Sequence, residues 1–587
     1  PRVGAGGDRG QRRPRAMRVL VIGAGASGLV AAKTLRERGH EVCIVTDSHK
    51  VGGTFENKSY KDARMVSSKY LTCFSDFRRP AAEVHMSLAD YVVYLEEYVA
   101  HFRLGEVMRT GTKVINVQRR GSAYAVALQV DGEPSHREEV WDAVAVCSGV
   151  HNIPRVPAFP GQEAFEGKLL HSSSYKDPEI FRGQHVLVVG TGETGFDVGY
   201  AAATHGAASV TLSTRHGFVS VPSAFGEDKP PLDCIIMNWG THYWESAWAA
   251  RVGLHWWITT KFTRLGFLLT TGTTYGFNQW TGKRFNMTWD EGRKHIVNKS
   301  TRCMPLITRK VKKQAPWWQR KLWSYWDGPE TFGQDVDLVE GSVARFGARS
   351  VHYDTAAGPR EVPADVVVLA TGYRQRFPFI VPGPDEKGSA TADGCGADDP
   401  LPSEHFIVNP DEPRLAYIGF VRPNVGAIPP MAELQAMWWC QKLENKLACR
   451  APDYYKLKGS RLPYGVDYGY YMFALAREIG AVPSLLHWLL RRPRIAVTCG
   501  FGQAHVPIFR LQGPFASAEA EETCAVELFK PLTQRPLLMN LVFVVEALGF
   551  AAINGVTAAL ETRAGQLAAL AGVGLGCLRL AAGRGRG

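Results

Sequence analysis

At 587 residues the chain is too long for a single hydrophobic core and holds about three to four domains' worth of sequence. Hydrophobic residues at 45% and charged residues at 21% exclude a disordered or collagen-like protein. The formal charge of +12 favours acidic partners such as nucleotide phosphates or anionic lipid heads, and no nucleic-acid-binding motif accompanies it, so nucleic acid is not expected.

Residues 1–16 are basic and Gly-rich without an apolar run, which reads as a disordered or targeting extension, not a secretory signal. Residues 18–22 are a short apolar run ending at glycine, the pattern of a buried parallel strand. Residues 26–38 are helical in composition with Gly39 as the stop, and 41–45 form a second strand. The same strand, glycine turn, helix and strand recur over 185–189, 193–205 and 209–212. Further apolar strands end at Cys147-Ser148-Gly149 and at Ala370-Thr371-Gly372. Residues 382–413, rich in Pro, Gly, Asp and Ser, read as a surface loop. Residues 239–326 hold eleven of the fifteen tryptophans, a substrate-domain core or an interfacial surface. Residues 537–560 are apolar with Glu546 as their one charge, and a weaker apolar stretch covers 564–578. The eleven cysteines show no Cys-x-x-Cys pair, so neither a zinc site nor a redox dithiol is expected, and no metal is.

The two glycine turns carry the first chemistry. Gly23-Ala24-Gly25-Ala26-Ser27-Gly28 follows a strand and opens a helix. The first glycine permits the tight turn, the second lets a pyrophosphate approach the backbone, and the third lets helix and strand pack closely. The helix N-terminus then faces the phosphates. Where an acidic residue would accept the ribose hydroxyls the chain has Thr46, and Asp47, next along, is the candidate ligand. Gly190-Thr191-Gly192-Glu193-Thr194-Gly195 repeats the logic. Its second strand leads into Ser213-Thr214-Arg215, and an arginine there suits a 2′-phosphate, so NADPH over NADH. A solvated surface arginine is the bland alternative.

Between the turns lies Phe165-x-Gly167-x-x-x-His171-x-x-x-Tyr175. It resembles the fingerprint of the flavin-containing monooxygenases, whose Baeyer–Villiger relatives usually end the motif in tryptophan. Gly52-Gly53-Thr54-Phe55, Cys73-Phe-Ser-Asp-Phe77, Leu369-Ala-Thr371-Gly372-Tyr373 and the stretch from Gly426 to Gln435 are similar to the same family. The resemblance implies an α/β fold with two Rossmann-like dinucleotide-binding domains, one for FAD and one for NADPH. The NADPH domain is inserted in the FAD domain, and a helical C-terminal extension follows. Its implied FAD residues are Gly23, Gly25, Ala26, Ser27, Gly28, Asp47, Gly52, Gly53, Thr371 and Gly372. Those for NADPH are Gly190, Gly192, Glu193, Thr194, Gly195, Ser213 and Arg215. The expected segments are 17–160 and 336–450 for FAD, 161–335 for NADPH with the Trp-rich insertion, 451–535 helical, and 536–587 a membrane-anchoring tail.

The activity that the resemblance implies is oxygenation of a small nucleophilic substrate, at amine nitrogen or sulfur, by NADPH and O2 through a C4a-hydroperoxyflavin. A Baeyer–Villiger oxygenase and an NADPH oxidase releasing peroxide are the alternatives. It further implies an enzyme of the endoplasmic reticulum membrane with its catalytic domains in the cytoplasm, against a soluble cytoplasmic enzyme, and leaves homo-oligomerisation open. One departure stands out. The family places an asparagine three residues before a lysine, beside the oxygenated flavin; aligning Lys69 with that lysine puts Val66 at the asparagine position, with Ser67 and Ser68 as candidate substitutes.

Overall fold

The computed structural model describes residues 16–215, 302–324, 332–381, 398–424, 426–457 and 464–562, with scattered positions between 217 and 268. Residues 1–15, most of the Trp-rich segment and the apolar stretch 564–578 lie outside the described residues.

Two sheets organise the chain. The first has five parallel strands in the order Leu415–Tyr417, Ala143–Val146, Arg18–Ile22, Glu41–Val45 and Met108–Arg109. Arg18–Ile22 sits at its centre, and Val19, Leu20 and Val21 are wholly buried, which is why the strand reads as an unbroken apolar run. The helix Ala26–Glu37 covers one face together with Ile428–Leu443, whose Trp438 and Trp439 are fully buried. On the other face Thr112–Arg120, Ala123–Val130 and Arg137–Trp141 form a three-stranded antiparallel sheet.

The second sheet begins with five parallel strands, Lys168–His171, Val366–Leu369, His185–Val189, Ser209–Thr214 and Val336–Phe346. Ser350–Thr355 and Gly358–Pro363 extend it antiparallel to seven. All seven lie in sequence between Ala143–Val146 and Leu415–Tyr417, so one α/β unit is inserted in the other. The expected boundary at 335 is corrected: four of the seven strands come from 336–369. Val336–Phe346 pairs with Ser209–Thr214 across more than a hundred intervening residues, a register that no local pattern announces.

Residues 451–535 are largely helical and pack into the first unit. Tyr468, Tyr471, Phe473, Ile495 and Phe509 belong to the same core as Val19 and Leu29. Local chemistry sets these helices: Asp467 caps Tyr468–Ile479 by accepting from the Tyr470 N–H, and Gly480 ends it at φ 75°. The final described helix, Leu537–Glu561, buries only a narrow stripe that includes Ala547, Phe550 and Asn554. Val545 and Leu548 on its other side are 65% and 62% exposed.

Candidate functional site

The glycine turns are twins in geometry. Gly23 adopts φ +114° and Gly190 φ +118°, both in the region that favours glycine. In each unit the neighbouring strand ends under the turn. A Cβ on Gly23 would lie 2.6 Å from the Cys147 carbonyl oxygen, and one on Gly190 would overlap the Ala370 carbonyl. The third glycines do what close helix packing requires: a Cβ on Gly28 would overlap the Gly23 carbonyl, and one on Gly195 the Gly190 carbonyl. Gly25 and Gly192 begin their helices with extended backbone, at φ −83° and −78°, and neither helix has a side-chain cap. The first N–H groups of each helix, from Ala26 and Ser27 and from Glu193 and Thr194, thus follow a turn flanked by glycines, which fits the approach of a dinucleotide pyrophosphate.

Around the first turn the fold adds a second backbone wall. Gly52 donates its N–H to the Ala24 carbonyl at 3.1 Å, and a Cβ on Gly25 would lie 3.6 Å from the Gly53 Cα. Gly419, which the sequence did not single out, closes from the other side, because a Cβ there would overlap the Ser27 hydroxyl. Its N–H is held at 2.8 Å by the buried Gln435. Thr46 is buried and its backbone bridges Arg109 and Thr112, so Asp47 is the exposed residue at the strand end. At the second turn Ser213 is buried, its carbonyl accepting the Gly190 N–H at 2.9 Å, while Arg215 is exposed.

His171 meets the connection that returns the chain from the second unit to the first. Its Nδ1 accepts the Ser173 N–H at 3.1 Å, so the proton sits on Nε2, which donates to the Gly372 carbonyl at 3.0 Å. Burial lowers its pKa from 6.5, keeping the ring neutral. Gly372 in turn accepts the Arg155 N–H at 2.9 Å, and Thr371 donates its hydroxyl to the Arg155 carbonyl. The rest of the fingerprint packs. Gly167 is glycine because the Phe165 ring and the Asp365 carbonyl occupy its Cβ position. Tyr175 is wholly buried, its ring 5.3 Å from both Phe181 and Tyr60. The motif therefore packs the edge of the second sheet, with Tyr175 against Tyr60 of the first unit, more than it offers reacting groups.

Val66 is half-buried. Behind it Ser67 donates to the Gly426 carbonyl at 3.2 Å, and Ser68 lies against the Cys234 thiol at 3.9 Å with its N–H on Asp233. Lys69 buries its stem and donates to the carbonyls of Pro80 and Ala82.

A buried charge cluster explains two motifs that sequence spacing left unconnected. Ser75 donates its hydroxyl and N–H to the Glu433 carboxylate, while Arg510 bonds Ser75 Oγ at 2.9 Å and Asp76 at 2.8 Å. Lys33 pairs with Asp76 from the helix behind the first turn. Burial pushes Glu433 up to about 7. In the unfolded chain the same carboxyl ionises near its ordinary 4.5, so its contribution to stability is intact below that value and is lost as pH rises toward 7. Raising pH from 5 to 8 is expected to destabilise the native chain relative to Glu433→Gln by about 2–3 kcal/mol. Thermal melts of both across that range check it; parallel curves refute it.

An α/β protein with two matching glycine turns and one unit inserted in the other is a two-dinucleotide flavoprotein. The family model described as flavin-binding monooxygenase-like matches residues 16–264 and 329–545. Monooxygenase ptmN of Penicillium ochrochloron is 35% identical over 560 residues, covering 88% of this chain and 90% of that protein. Flavin-containing monooxygenase 2 of Homo sapiens is 27% identical over 578 residues, covering 92% and 98%. The solved S-allyl-L-cysteine S-oxygenase of Allium sativum shares the fold, with a TM-score of 0.52 at 16% identity and coverage of 89% and 100%. The chain belongs to the flavin-containing monooxygenase family. It is an FAD-dependent monooxygenase with FAD and NADPH as cofactors, acting on small molecules.

Proposed function

We propose that the enzyme oxygenates soft nucleophiles, amine nitrogen or thioether sulfur, with FAD seated on the Gly23 turn and NADPH on the Gly190 turn. The observation that carries this reading is the pair of matching glycine turns in one fold, each opening a helix. Reduced by NADPH, bound flavin supplies the electrons that activate O2. The chain's own residues hold, orient and shield. The glycines admit the pyrophosphates, Arg215 offers a guanidinium for the 2′-phosphate, and neutral His171 holds the Gly372 carbonyl without adding charge. Tyr175 at the end of the fingerprint supports nitrogen and sulfur over insertion beside a carbonyl. The test is product analysis with N,N-dimethylaniline, thioanisole and cyclohexanone under NADPH and O2. N-oxide and sulfoxide are expected; a lactone from cyclohexanone alone, or peroxide with no organic product, overturns the reading.

Arg215→Ala is expected to raise the KM for NADPH by about ten- to thirtyfold, as for loss of a charge-assisted contact of about 1.5–2 kcal/mol. The KM for NADH should stay put. Steady-state kinetics with both nucleotides check it, and an equal loss with NADH removes the phosphate role.

We further propose that Leu537–Glu561 anchors the enzyme to a membrane. Met539–Leu560 is long and apolar enough to cross one, and Leu537, Val545 and Leu548 are exposed. Glu546 is half-buried with a partner, which softens the cost of a carboxylate at that depth. Trp317, at 70% exposure, offers an aromatic for the interface from the described part of the Trp-rich segment. The anchor's root is part of the fold: Arg535 donates to the carbonyls of Phe501 at 2.7 Å and Cys234 at 2.6 Å. A chain ending after Pro536 keeps Arg535 and is expected to remain in the supernatant without detergent, while the full chain sediments with membranes. Full chain in the soluble fraction refutes the anchor.

A further inference from the structure

We infer that the helix Leu485–Arg491 is a second, independent lipid contact, seated in the headgroup boundary of a bilayer with anionic phospholipid; this extends the membrane reading above. Leu486, Leu489 and Leu490 are 66%, 54% and 80% exposed on a seven-residue helix. Fraying does not explain them, because Trp488 between them is 2% exposed and pins the helix to the core, and Ser484 caps its start by accepting from the His487 N–H. Such an apolar patch on a folded helix calls for an occupant.

Charge selects the occupant. From 479 to 518 the chain has no acidic residue, while Arg491, Arg492 and Arg494 directly follow the leucines. Arg491 and Arg492 meet the half-buried Glu521 and the exposed Glu522 at 3.3–3.6 Å, the arginines themselves staying exposed to water and salt, and Arg494 stacks on Phe529. Leucines beside arginines make an interfacial surface for anionic lipid. Position agrees. The next helix, Pro493–Phe501, spans about 13 Å. Its far end accepts Arg535, which also stacks on Phe543 of the anchor helix at 5.1 Å. The leucine patch and the root of the anchor are thus the two ends of one short, rigid strut.

The experiment places an environment-sensitive fluorophore on Leu490→Cys or on Leu548→Cys of the full chain, each signal taken over the parent chain. Vesicles are phosphatidylcholine with or without phosphatidylserine, and quenchers are nitroxides carried on lipid. The probe at 490 should be quenched roughly twofold or more by nitroxides near the headgroups, more strongly with phosphatidylserine. Quenching at 548 but none at 490 overturns this inference and leaves the anchor standing. Quenching at 490 alone supports it and refutes the anchor. A blue shift at 490 that grows with protein concentration and ignores lipid identifies a second copy of the chain as the occupant and overturns the lipid contact. With Leu486→Ser, Leu489→Ser and Leu490→Ser combined, binding to phosphatidylserine vesicles should weaken at least tenfold; unchanged binding overturns it as well.

Discussion

Gly195→Ala is expected to abolish NADPH-driven flavin reduction, by a hundredfold or more, while the protein stays yellow with bound FAD. The added Cβ would overlap the Gly190 carbonyl and lie 3.3 Å from the Ala370 Cβ, so the turn and the strand beneath it must move apart. Overpacking of this kind costs roughly 1–3 kcal/mol in stability. The displaced N–H groups at the helix start lose the pyrophosphate in addition. Gly28→Ala is the mirror experiment, since its Cβ overlaps the Gly23 carbonyl. There the flavin itself should be lost, and added FAD should not restore full occupancy. Flavin absorbance and anaerobic NADPH titration of both variants separate the two sites. If Gly195→Ala releases FAD while Gly28→Ala retains it, the assignment of the turns is inverted; if each loses both, the units are not separable sites.

The twin turns were legible because their physics is local. The strands over 18–22, 41–45 and 185–189 fall where the apolar runs and glycines place them. The helices end at Glu37 and Thr204, within a residue of the sequence reading. Local signals failed where contacts are made across the chain. The antiparallel pairing of Val336–Phe346 with Ser350–Thr355 belongs to the second sheet, yet 336 reads no differently from a return to the first. Gly419 matters only because Ser27, nearly four hundred residues earlier, leaves no room for a Cβ. The Ser75, Asp76, Glu433, Arg510 and Lys33 cluster draws on four separate stretches, so each motif looked like an unassigned family signature. The fingerprint shows the opposite case: its spacing identified the family, but geometry was needed to see that His171 holds the Gly372 carbonyl while Tyr175 packs on Tyr60 of the first unit.

Native enzyme is expected to release much of its reducing power as H2O2, and Val66→Asn to improve coupling by about five- to a hundredfold. The argument rests on donors. The resemblance implies an amide donor beside the flavin at the position aligned with Val66, and a contact of about 1–3 kcal/mol corresponds to a rate effect of that size. Valine has nothing to donate. The two adjacent hydroxyls already have partners, Ser67 in the Gly426 carbonyl and Ser68 in Cys234, and Lys69 is drawn to the carbonyls of Pro80 and Ala82. The chain around Val66 is well fixed, since the Met65 N–H bonds the Met86 carbonyl at 2.8 Å and Ser68 is held by Asp233 at 2.7 Å. An asparagine, close to valine in size, should therefore present its amide from the same backbone. A buried amide without a partner costs stability, so the variant should melt lower without cofactor and recover with FAD and NADP+ bound. The measurement is H2O2 released per NADPH consumed, with and without a thioether, in both proteins. A native enzyme already coupled as tightly as the asparagine variant shows that Val66 does not stand at the donor position, or that bound NADP+ supplies the hydrogen bond by itself.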